Sequence, residues 1–247
     1  MCGIVGYIGY RDAYPILIKG LHRLEYRGYD SAGVALLAGD HKMNIYKSKG
    51  KVSNLEESAA SKDISGHIGI AHTRWATHGE PSTLNAHPHV SQNGRLALVH
   101  NGIIENYSNL KTFLEGKGFT FKSSTDTEVL VQLIQFIQDE YGKDLEGAVV
   151  SALRRVTGAY AIAVVDKENP DKIVVARKSS PLVVGIGEDH KEFFLASDAL
   201  PIVEYTNQMV YLNDGEVALL NVGQKMEIHT VDNEDVDPKI KEVDVHL

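Results

Sequence analysis

The chain has 247 residues, of which 43% are hydrophobic and 23% charged, a balance typical of a globular protein with a sizeable core. The formal net charge of −8 argues against a nucleic-acid-binding protein, because phosphate backbones require a basic surface. No run approaches the roughly 18 apolar residues of a membrane span, and a single cysteine allows no internal disulfide, so we expect a cytoplasmic protein without membrane contact.

The first strand predicted along the chain begins just after its only cysteine, Cys2. Residues 4–8 form a short apolar run typical of a buried strand, which would anchor the N-terminus inside the protein. Removal of Met1 would leave Cys2 with a thiol and a free α-amine, whose ordinary pKa values are about 8.5 and 7.7–8. Cys2 is therefore a candidate nucleophile with its own base, although a lone cysteine is more simply interpreted as a small buried hydrophobic residue.

Helices and strands alternate in the predicted first half of the chain. Apolar spacing in residues 12–24 predicts a helix capped by Asp12. Residues 24–33 form a polar turn punctuated by glycine. Further strands are predicted at residues 34–38, 43–47, 67–73 and 96–100, and helices at 52–60 and 107–115.

The segment after the strand at 67–73 combines the chain's only tryptophan, Trp75, with Arg74. Arginine offers a planar donor fork that matches a carboxylate, and Trp75 and Thr77 would line a small polar pocket. Residues 74–81 are therefore a candidate substrate-binding lid. The alternative is that Arg74 stacks on an exposed Trp75 only for packing.

Five of the eleven histidines lie between residues 72 and 100. They are His72, His78, His87, His89 and His100. A metal site is one interpretation, but His87-Pro88-His89 has no nearby carboxylate at ligand spacing and no His-Glu-x-x-His motif is present. We therefore favour hydrogen-bonded histidines that stiffen a loop and expect no bound metal, with a metal hydrolase kept as a competing hypothesis.

The strand at 96–100 is predicted to stop at Asn101 and Gly102. An amide side chain and an unhindered backbone N–H would then lie side by side at a sheet end, as the two donors of an oxyanion hole. A type I′ hairpin turn is the usual meaning of Asn-Gly. The helical pattern that starts after Asn106 argues against a hairpin here.

Helices and then strands are predicted for the second half of the chain. Asp126 would cap a helix with an apolar face at residues 130–137, and a second helix is predicted at 144–156. Seven strands are predicted at residues 160–166, 172–176, 182–186, 192–196, 209–212, 216–220 and 224–228. Asp214 and Gly215 are predicted to form a hairpin turn. This order predicts sheets packed on each other and covered by helices.

Residues 232–247 are strongly acidic, with six acidic residues against two lysines. Pro238 would interrupt regular structure in this stretch. The pattern predicts an exposed tail or an interdomain linker.

Several motifs together resemble one enzyme family. They lie at residues 2–6, 24–33, 74–81, 85–89 and 100–106. They are similar to the class II glutamine amidotransferases, and within them to the glutaminase domain of the glutamine:fructose-6-phosphate aminotransferases, also called glucosamine-6-phosphate synthases. Class II enzymes that make phosphoribosylamine share the N-terminal cysteine and the Asn-Gly pair but differ in the other stretches.

The resemblance implies an α+β fold of the N-terminal nucleophile (Ntn) hydrolase type. This fold has four αββα layers, with two stacked antiparallel sheets between helical layers. The resemblance further implies a glutaminase domain at residues 1–231, a linker at 232–247 toward a sugar-isomerase domain absent from this chain, and no cofactor.

The resemblance also implies the catalytic roles. Cys2 would attack the side-chain amide of L-glutamine while its α-amine takes the proton, and a thioester would form and hydrolyse to glutamate. Asn101 and Gly102 would hold the oxyanion.

Substrate-binding roles follow from the same resemblance. Arg74 would bind the α-carboxylate of glutamine and Asp126 its α-amine, while Trp75, Thr77 and His78 would line the pocket or its closing loop. A non-catalytic glutamine-sensing module, and the glutaminase domain of another class II amidotransferase, remain alternatives.

Overall fold

The fold is described from a computed structural model, which describes residues 2–76 and 79–243. The strands in these ranges are β1 Gly3–Ile8, β2 Ser31–Ala38, β3 Lys42–Lys49, β4 Ile68–Arg74, β5 His89–Val90, β6 Leu96–Ile104, β7 Gly158–Asp166, β8 Lys172–Lys178, β9 Val183–Ile186, β10 Phe193–Ala196, β11 Gln208–Tyr211, β12 Glu216–Asn221, β13 Glu227–Thr230, β14 Asp235–Val236 and β15 Lys241–Glu242. The helices are α1 Ala13–Leu24, α2 Val52–Ala59, α3 Tyr107–Gly116, α4 Asp126–Tyr141 and α5 Leu145–Arg154. None of these helices is long and apolar enough to cross a membrane.

The strands form two antiparallel sheets. The first sheet has the order β15-β11-β9-β10-β1-β4-β2-β3, and the second has the order β14-β13-β12-β8-β7-β6-β5. β1 pairs with β10 on one side and β4 on the other, so the start of the chain enters the middle of a sheet rather than its edge. β6 likewise lies inside the second sheet, between β5 and β7.

Alternating side chains in β1 show how the layers form. Ile4 and Ile8 point into the core between the two sheets, while Val5 and Tyr7 point to the opposite face and pack with α1 and α2. Helices α3, α4 and α5 cover the outer face of the second sheet. This period of two on each strand produces the predicted four-layer αββα order.

One prediction about β6 is wrong. The strand does not stop at Asn101 and Gly102 but runs to Ile104, pairing along its whole length with β7. Gly102 has a φ of +122°, and a Cβ there would lie 2.2 Å from the carbonyl oxygen of Ala159. The Asn-Gly pair is therefore a distortion within a paired strand, at a position that only glycine fits.

The predicted cap of α4 is also wrong. Thr125 is the N-cap, and its hydroxyl accepts a hydrogen bond from the backbone N–H of Glu128. Asp126 is the first residue of the helix. Because Thr125 already satisfies the helix end, the carboxylate of Asp126 is directed elsewhere.

The turn at Asp214 and Gly215 does not form the predicted hairpin. β11 pairs with β9 and β15 in the first sheet, whereas β12 pairs with β8 and β13 in the second. The turn therefore carries the chain from one sheet to the other.

Residues 232–243 contribute one short strand to each sheet. β14 pairs with β13, and β15 pairs with β11. The domain boundary at residue 231 stays a prediction.

Candidate active site

Cys2 lies immediately before β1 and is partly buried. The backbone N–H of Trp75 lies 3.3 Å from its Sγ, and Sγ lies 3.4 Å from the carbonyl oxygen of Trp75. Burial raises the pKa of the Cys2 thiol, and the contact with the Trp75 backbone offsets part of this effect. The thiol is therefore largely protonated near neutral pH, so attack on a substrate requires a base.

Asn101 faces the start of the chain from the other sheet. Its Nδ2 donates a hydrogen bond of 3.2 Å to the carbonyl oxygen of Cys2, and the residue is only 7% exposed. Gly102 follows it on β6. The structure therefore brings Asn101, one of the two predicted oxyanion donors, into contact with Cys2, although their sequence separation is about 100 residues.

The backbone around Cys2 is held by residues on several elements. Ser197, just after β10, accepts a hydrogen bond from the Ile4 N–H through its Oγ and donates its own N–H to the Ile4 carbonyl, each at 3.0 Å. Gly3 leaves no room for a side chain, since a Cβ would lie 2.9 Å from atoms of Leu24 and Thr73. The sequence contains no signal for this role of Ser197, because Ser197 lies 193 residues after Ile4 and no local pattern links the two.

Arg74 is the last residue of β4 and is 3% exposed. Its Nη1 donates to the carbonyl oxygen of Glu80 and its Nη2 to that of Gly79, each at 3.1 Å. On the other side, the Asp30 carboxylate accepts the N–H of Ala76. One guanidinium and one carboxylate thus fix the two sides of the predicted lid to the sheet.

The Trp75 side chain lies at the surface beside Cys2. It is 50% exposed, and its ring meets that of Tyr29 edge to face with centroids 6.1 Å apart. Thr77 and His78, predicted to line the same pocket, lie outside the described residues.

Asp126 is brought to the second sheet by the start of α4. The residue is 4% exposed, and its Oδ2 accepts a hydrogen bond of 2.8 Å from the N–H of Ile104, three residues after Asn101 on β6. A carboxylate has further acceptor capacity beyond one such bond. Its predicted role toward an ammonium group stays a prediction.

Four histidines form a buried group beneath the site. His72, His87, His89 and His100 are each 5% exposed or less. His72 stacks on His87 with ring centroids 4.0 Å apart, and Nδ1 of His100 lies 3.0 Å from Oγ1 of Thr127. These histidines are hydrogen-bonded, as the sequence indicated. His72, His89 and His100 lie on β4, β5 and β6, and His89 and His100 contact Thr125 and Thr127 at the start of α4. His87 lies in the loop just before β5.

Burial keeps these four histidines neutral. Loss of hydration lowers the pKa of His72 to about 3 and the pKa of the other three below the ordinary value. In the part of the chain that the structure describes, the group of histidine and acidic side chains close enough for a metal is elsewhere, at Glu146, Glu227 and His229. Among the described residues of the histidine-rich stretch, no such group is found.

Gly33 lies in one of the motifs singled out from the sequence, but the structural need for a glycine at this position is visible only in the fold. A Cβ on Gly33 would lie 1.9 Å from the carbonyl oxygen of His87. The segment that leads into β5 therefore crosses directly over β2. A glycine inside a strand pattern is the signal for such a close approach, but the sequence does not say which segment approaches.

Comparison with known protein families identifies the family of this chain. A family model described as a glutamine amidotransferase domain matches residues 57–231. The chain belongs to this glutamine amidotransferase family.

Two curated relatives of this amidotransferase domain carry the same name, glutamine–fructose-6-phosphate aminotransferase (isomerizing). The protein from Bacteroides thetaiotaomicron is 64% identical over 247 residues, and that from Chlorobaculum tepidum is 56% identical over 251. Each match covers 100% of this chain and 40% of the relative. The chain thus spans about two fifths of the length of these relatives.

Solved structures agree with the amidotransferase assignment. The glutamine phosphoribosylpyrophosphate amidotransferase of B. subtilis, solved with ADP and GMP, matches with a TM-score of 0.78 and 29% identity over 93% of this chain and 49% of its own. A class-II glutamine aminotransferase domain protein from Silicibacter pomeroyi matches with a TM-score of 0.61 at 16% identity, over 93% of this chain and 99% of its own, which shows the fold alone. The prediction of the Ntn fold is confirmed.

Proposed function

We propose that this domain hydrolyses the side-chain amide of L-glutamine to glutamate and ammonia through a thioester on Cys2. One observation carries the proposal. The Nδ2 of Asn101 lies 3.2 Å from the Cys2 carbonyl oxygen, so an amide donor stands beside the residue that bears the thiol. A substrate carbonyl attacked by that thiol would develop its negative charge in reach of this donor.

The first half of the proposed reaction forms the thioester. Sγ of Cys2 bonds to the amide carbon while the thiol proton passes to the free α-amine of Cys2, and the negative charge moves to the former carbonyl oxygen. One of the two Nδ2 hydrogens of Asn101 already binds the Cys2 carbonyl. The other, with the Gly102 N–H, would bind the oxyanion. The tetrahedral adduct then collapses as its C–N bond breaks, and the ammonium form of the α-amine gives its proton to the leaving amide nitrogen, which departs as ammonia.

The second half releases glutamate. Water attacks the thioester carbonyl, the α-amine takes a proton from that water, and the same two donors bind the second oxyanion. Collapse breaks the C–S bond, and the proton returns to the Cys2 sulfur. The raised pKa of the buried thiol suits this cycle, because the sulfur is protonated again at the end of each turnover.

A free amino acid requires one fixed cation and one fixed anion for recognition. Arg74 would bind the α-carboxylate and Asp126 the α-ammonium group of glutamine, with Trp75, Thr77 and His78 at the pocket or its lid. Arg74 also holds the carbonyls of Gly79 and Glu80. Substrate binding and the position of the lid would therefore depend on the same guanidinium.

In a longer protein, the ammonia would serve glucosamine-6-phosphate synthesis from fructose 6-phosphate. This part of the proposal is supported by the name that the relatives carry and by the 60% of their length that lies outside the match. A C-terminal sugar-isomerase domain would be the partner, with residues 232–247 as the acidic linker toward it. We further propose a cytoplasmic location with no nucleic-acid or membrane partner.

A glutaminase assay on protein with Met1 removed tests the proposal. Ammonia and glutamate should form in equal amounts, and Cys2→Ala should lower kcat by about 10⁴-fold or more, as removal of a nucleophile does elsewhere. Cys2→Ala keeps the free α-amine, so the loss would report the thiol alone. Equal ammonia release from both proteins would end the proposal.

The glutamine-sensing alternative makes a different prediction. It requires calorimetric binding of glutamine without turnover by protein whose free Cys2 N-terminus has been verified by mass spectrometry. A second form with Met1 retained is the matched control, because it keeps the thiol and blocks the amine. Turnover by the processed form alone would favour the enzyme.

A further inference from the structure

His72 lies directly behind the proposed oxyanion site. It is on β4, opposite Ile4 of β1 and Gly33 of β2 in the register of the first sheet, and is fully buried. Its Nε2 lies 3.1 Å from the carbonyl oxygen of His100 and 3.0 Å from Oδ1 of Asn101. It therefore reaches from the first sheet to the residue whose amide faces Cys2.

Two backbone carbonyl oxygens determine which side-chain atoms of Asn101 and His72 carry hydrogen. A carbonyl oxygen only accepts, so the Asn101 atom next to the Cys2 carbonyl must be the NH₂ group. By the same logic, the His72 nitrogen next to the His100 carbonyl must carry a hydrogen. The contact between His72 and Asn101 is then an Nε2–H donor facing Oδ1, so neither the amide orientation nor the tautomer is arbitrary.

We infer that His72 is a positioning residue for the glutaminase reaction, its Nε2–H holding the Asn101 amide so that Nδ2 faces the oxyanion. The inference rests on the proposed function. A flipped Asn101 amide would present an acceptor oxygen to the oxyanion and to the Cys2 carbonyl. His72 opposes that flip because the flipped NH₂ would meet its own N–H.

The surroundings of His72 suit a fixed neutral donor rather than a proton carrier. Nδ1 of His72 is buried and has no hydrogen-bond partner within residues 2–76 and 79–243. The ring is stacked almost parallel on His87, at an interplanar angle of 9°. Loss of hydration lowers the His72 pKa, so the ring is neutral near neutral pH.

Two substitutions at His72 separate positioning from packing. His72→Phe keeps the ring and its stacking but removes the donor, and His72→Gln places an amide nitrogen near the position of Nε2. We expect His72→Phe to lower kcat by about 10–100-fold, less than full removal of an oxyanion donor, with KM within about twofold. His72→Gln should stay within about fivefold of the wild type. A kcat for His72→Phe within about threefold of the wild type, or no advantage of Gln over Phe, would overturn the inference.

A double-mutant cycle tests whether His72 acts through Asn101. Once Asn101→Ala has removed the amide, His72→Phe should change kcat by less than about twofold, because nothing is left to orient. Losses that multiply would show an independent role and contradict the inference. Alkylation of Cys2 by iodoacetamide forms no oxyanion, so its rate should be the same within about threefold in His72→Phe and wild type.

Nuclear magnetic resonance on the wild type requires no substitution and no activity. Protein labelled with ¹⁵N-histidine should show His72 as the neutral Nε2–H tautomer from pH 5 to pH 8. An Nδ1–H tautomer, or protonation within that range, would overturn the inference. Failure of the proposed function would be distinguishable, since the wild type would then lack glutaminase activity whatever tautomer His72 adopts.

Discussion

The proposed reaction centre and the proposed lid are built differently. Cys2 and Asn101 lie next to or within paired strands, and the contact between them joins the two sheets. The lid begins where β4 ends and depends on side-chain bonds from Arg74 to two loop carbonyls, with Trp75 half exposed. The reacting residues are thus held beside paired strands, whereas recognition of the substrate carboxylate is assigned to Arg74, whose side chain also bonds the loop that follows β4.

This difference predicts which substitutions change kcat and which change KM. A group aimed at charge that develops only during reaction affects kcat, whereas a group that binds the unreacted substrate affects KM. Substitutions at the reaction centre should therefore change kcat, and substitutions at Arg74 or in the lid should change KM. Two substitutions test this division directly. Two further measurements, with smaller expected effects, test the packing of β2 and the environment of the Cys2 thiol.

Removal of the amide on β6 should give the largest effect. Asn101→Ala deletes one of two proposed oxyanion donors and should lower kcat by about 10²–10³-fold, with KM within a few-fold. Asn106→Ala is a matched control, because the Asn106 side chain also makes two hydrogen bonds, to the carbonyl oxygen of Arg155 and the N–H of Thr157. An Asn101→Ala enzyme with normal kcat and raised KM would contradict the division.

Substitution of the guanidinium should affect KM. Arg74→Lys keeps the charge but loses the planar fork, so we expect KM for glutamine to rise about 10–100-fold while kcat changes less. Arg95→Lys is the control, since Arg95 makes a bidentate ion pair with Asp166 away from the site. A pure kcat loss in Arg74→Lys would place Arg74 with the reaction centre instead.

A methyl group on β2 should test the close approach of the segment before β5. In Gly33→Ala the new Cβ would lie 1.9 Å from the His87 carbonyl oxygen, so the segment before β5 must move, at a cost of about 1–3 kcal/mol in the free energy of unfolding. Gly39→Ala is the control, because nothing lies within 4 Å of its Cβ position. Urea unfolding measures the free energy of unfolding of both variants. Equal midpoints for Gly33→Ala and Gly39→Ala would show that the fold tolerates a Cβ at position 33.

The pH dependence of thiol reactivity should show the smallest effect. Because burial raises the Cys2 pKa, less thiolate is present at a given pH than in free cysteine. Alkylation by iodoacetamide should therefore be several-fold slower than that of free cysteine at pH 7 and still rise above pH 9. A rate that levels off near pH 8 would contradict the environment described for Cys2.

The sequence predicted the elements well where the pattern was local. The apolar run in residues 4–8 and the helical spacing in 12–24 gave β1 and α1 to within a residue. The motifs also singled out Cys2 and Asn101, which the fold places in contact, and their catalytic roles stay predictions.

The failures share one cause. β6 continues past Asn101 because β7 supplies a partner, Asp214 and Gly215 connect two sheets because each flanking strand finds its partner elsewhere, and Asp126 leaves the cap to Thr125 because Ile104 offers it a backbone N–H. Each outcome depends on a residue distant in the chain. The role inferred for His72 likewise depends on two carbonyls that no local pattern indicates.

The most direct test of the central claim is mass spectrometry of the N-terminal peptide after rapid acid quenching during glutamine turnover. The account predicts that processed protein begins at Cys2 and that Cys2 carries an adduct equal to glutamine less ammonia, which disappears once glutamine is exhausted. Turnover without any adduct on Cys2, or an adduct on another residue, would contradict it.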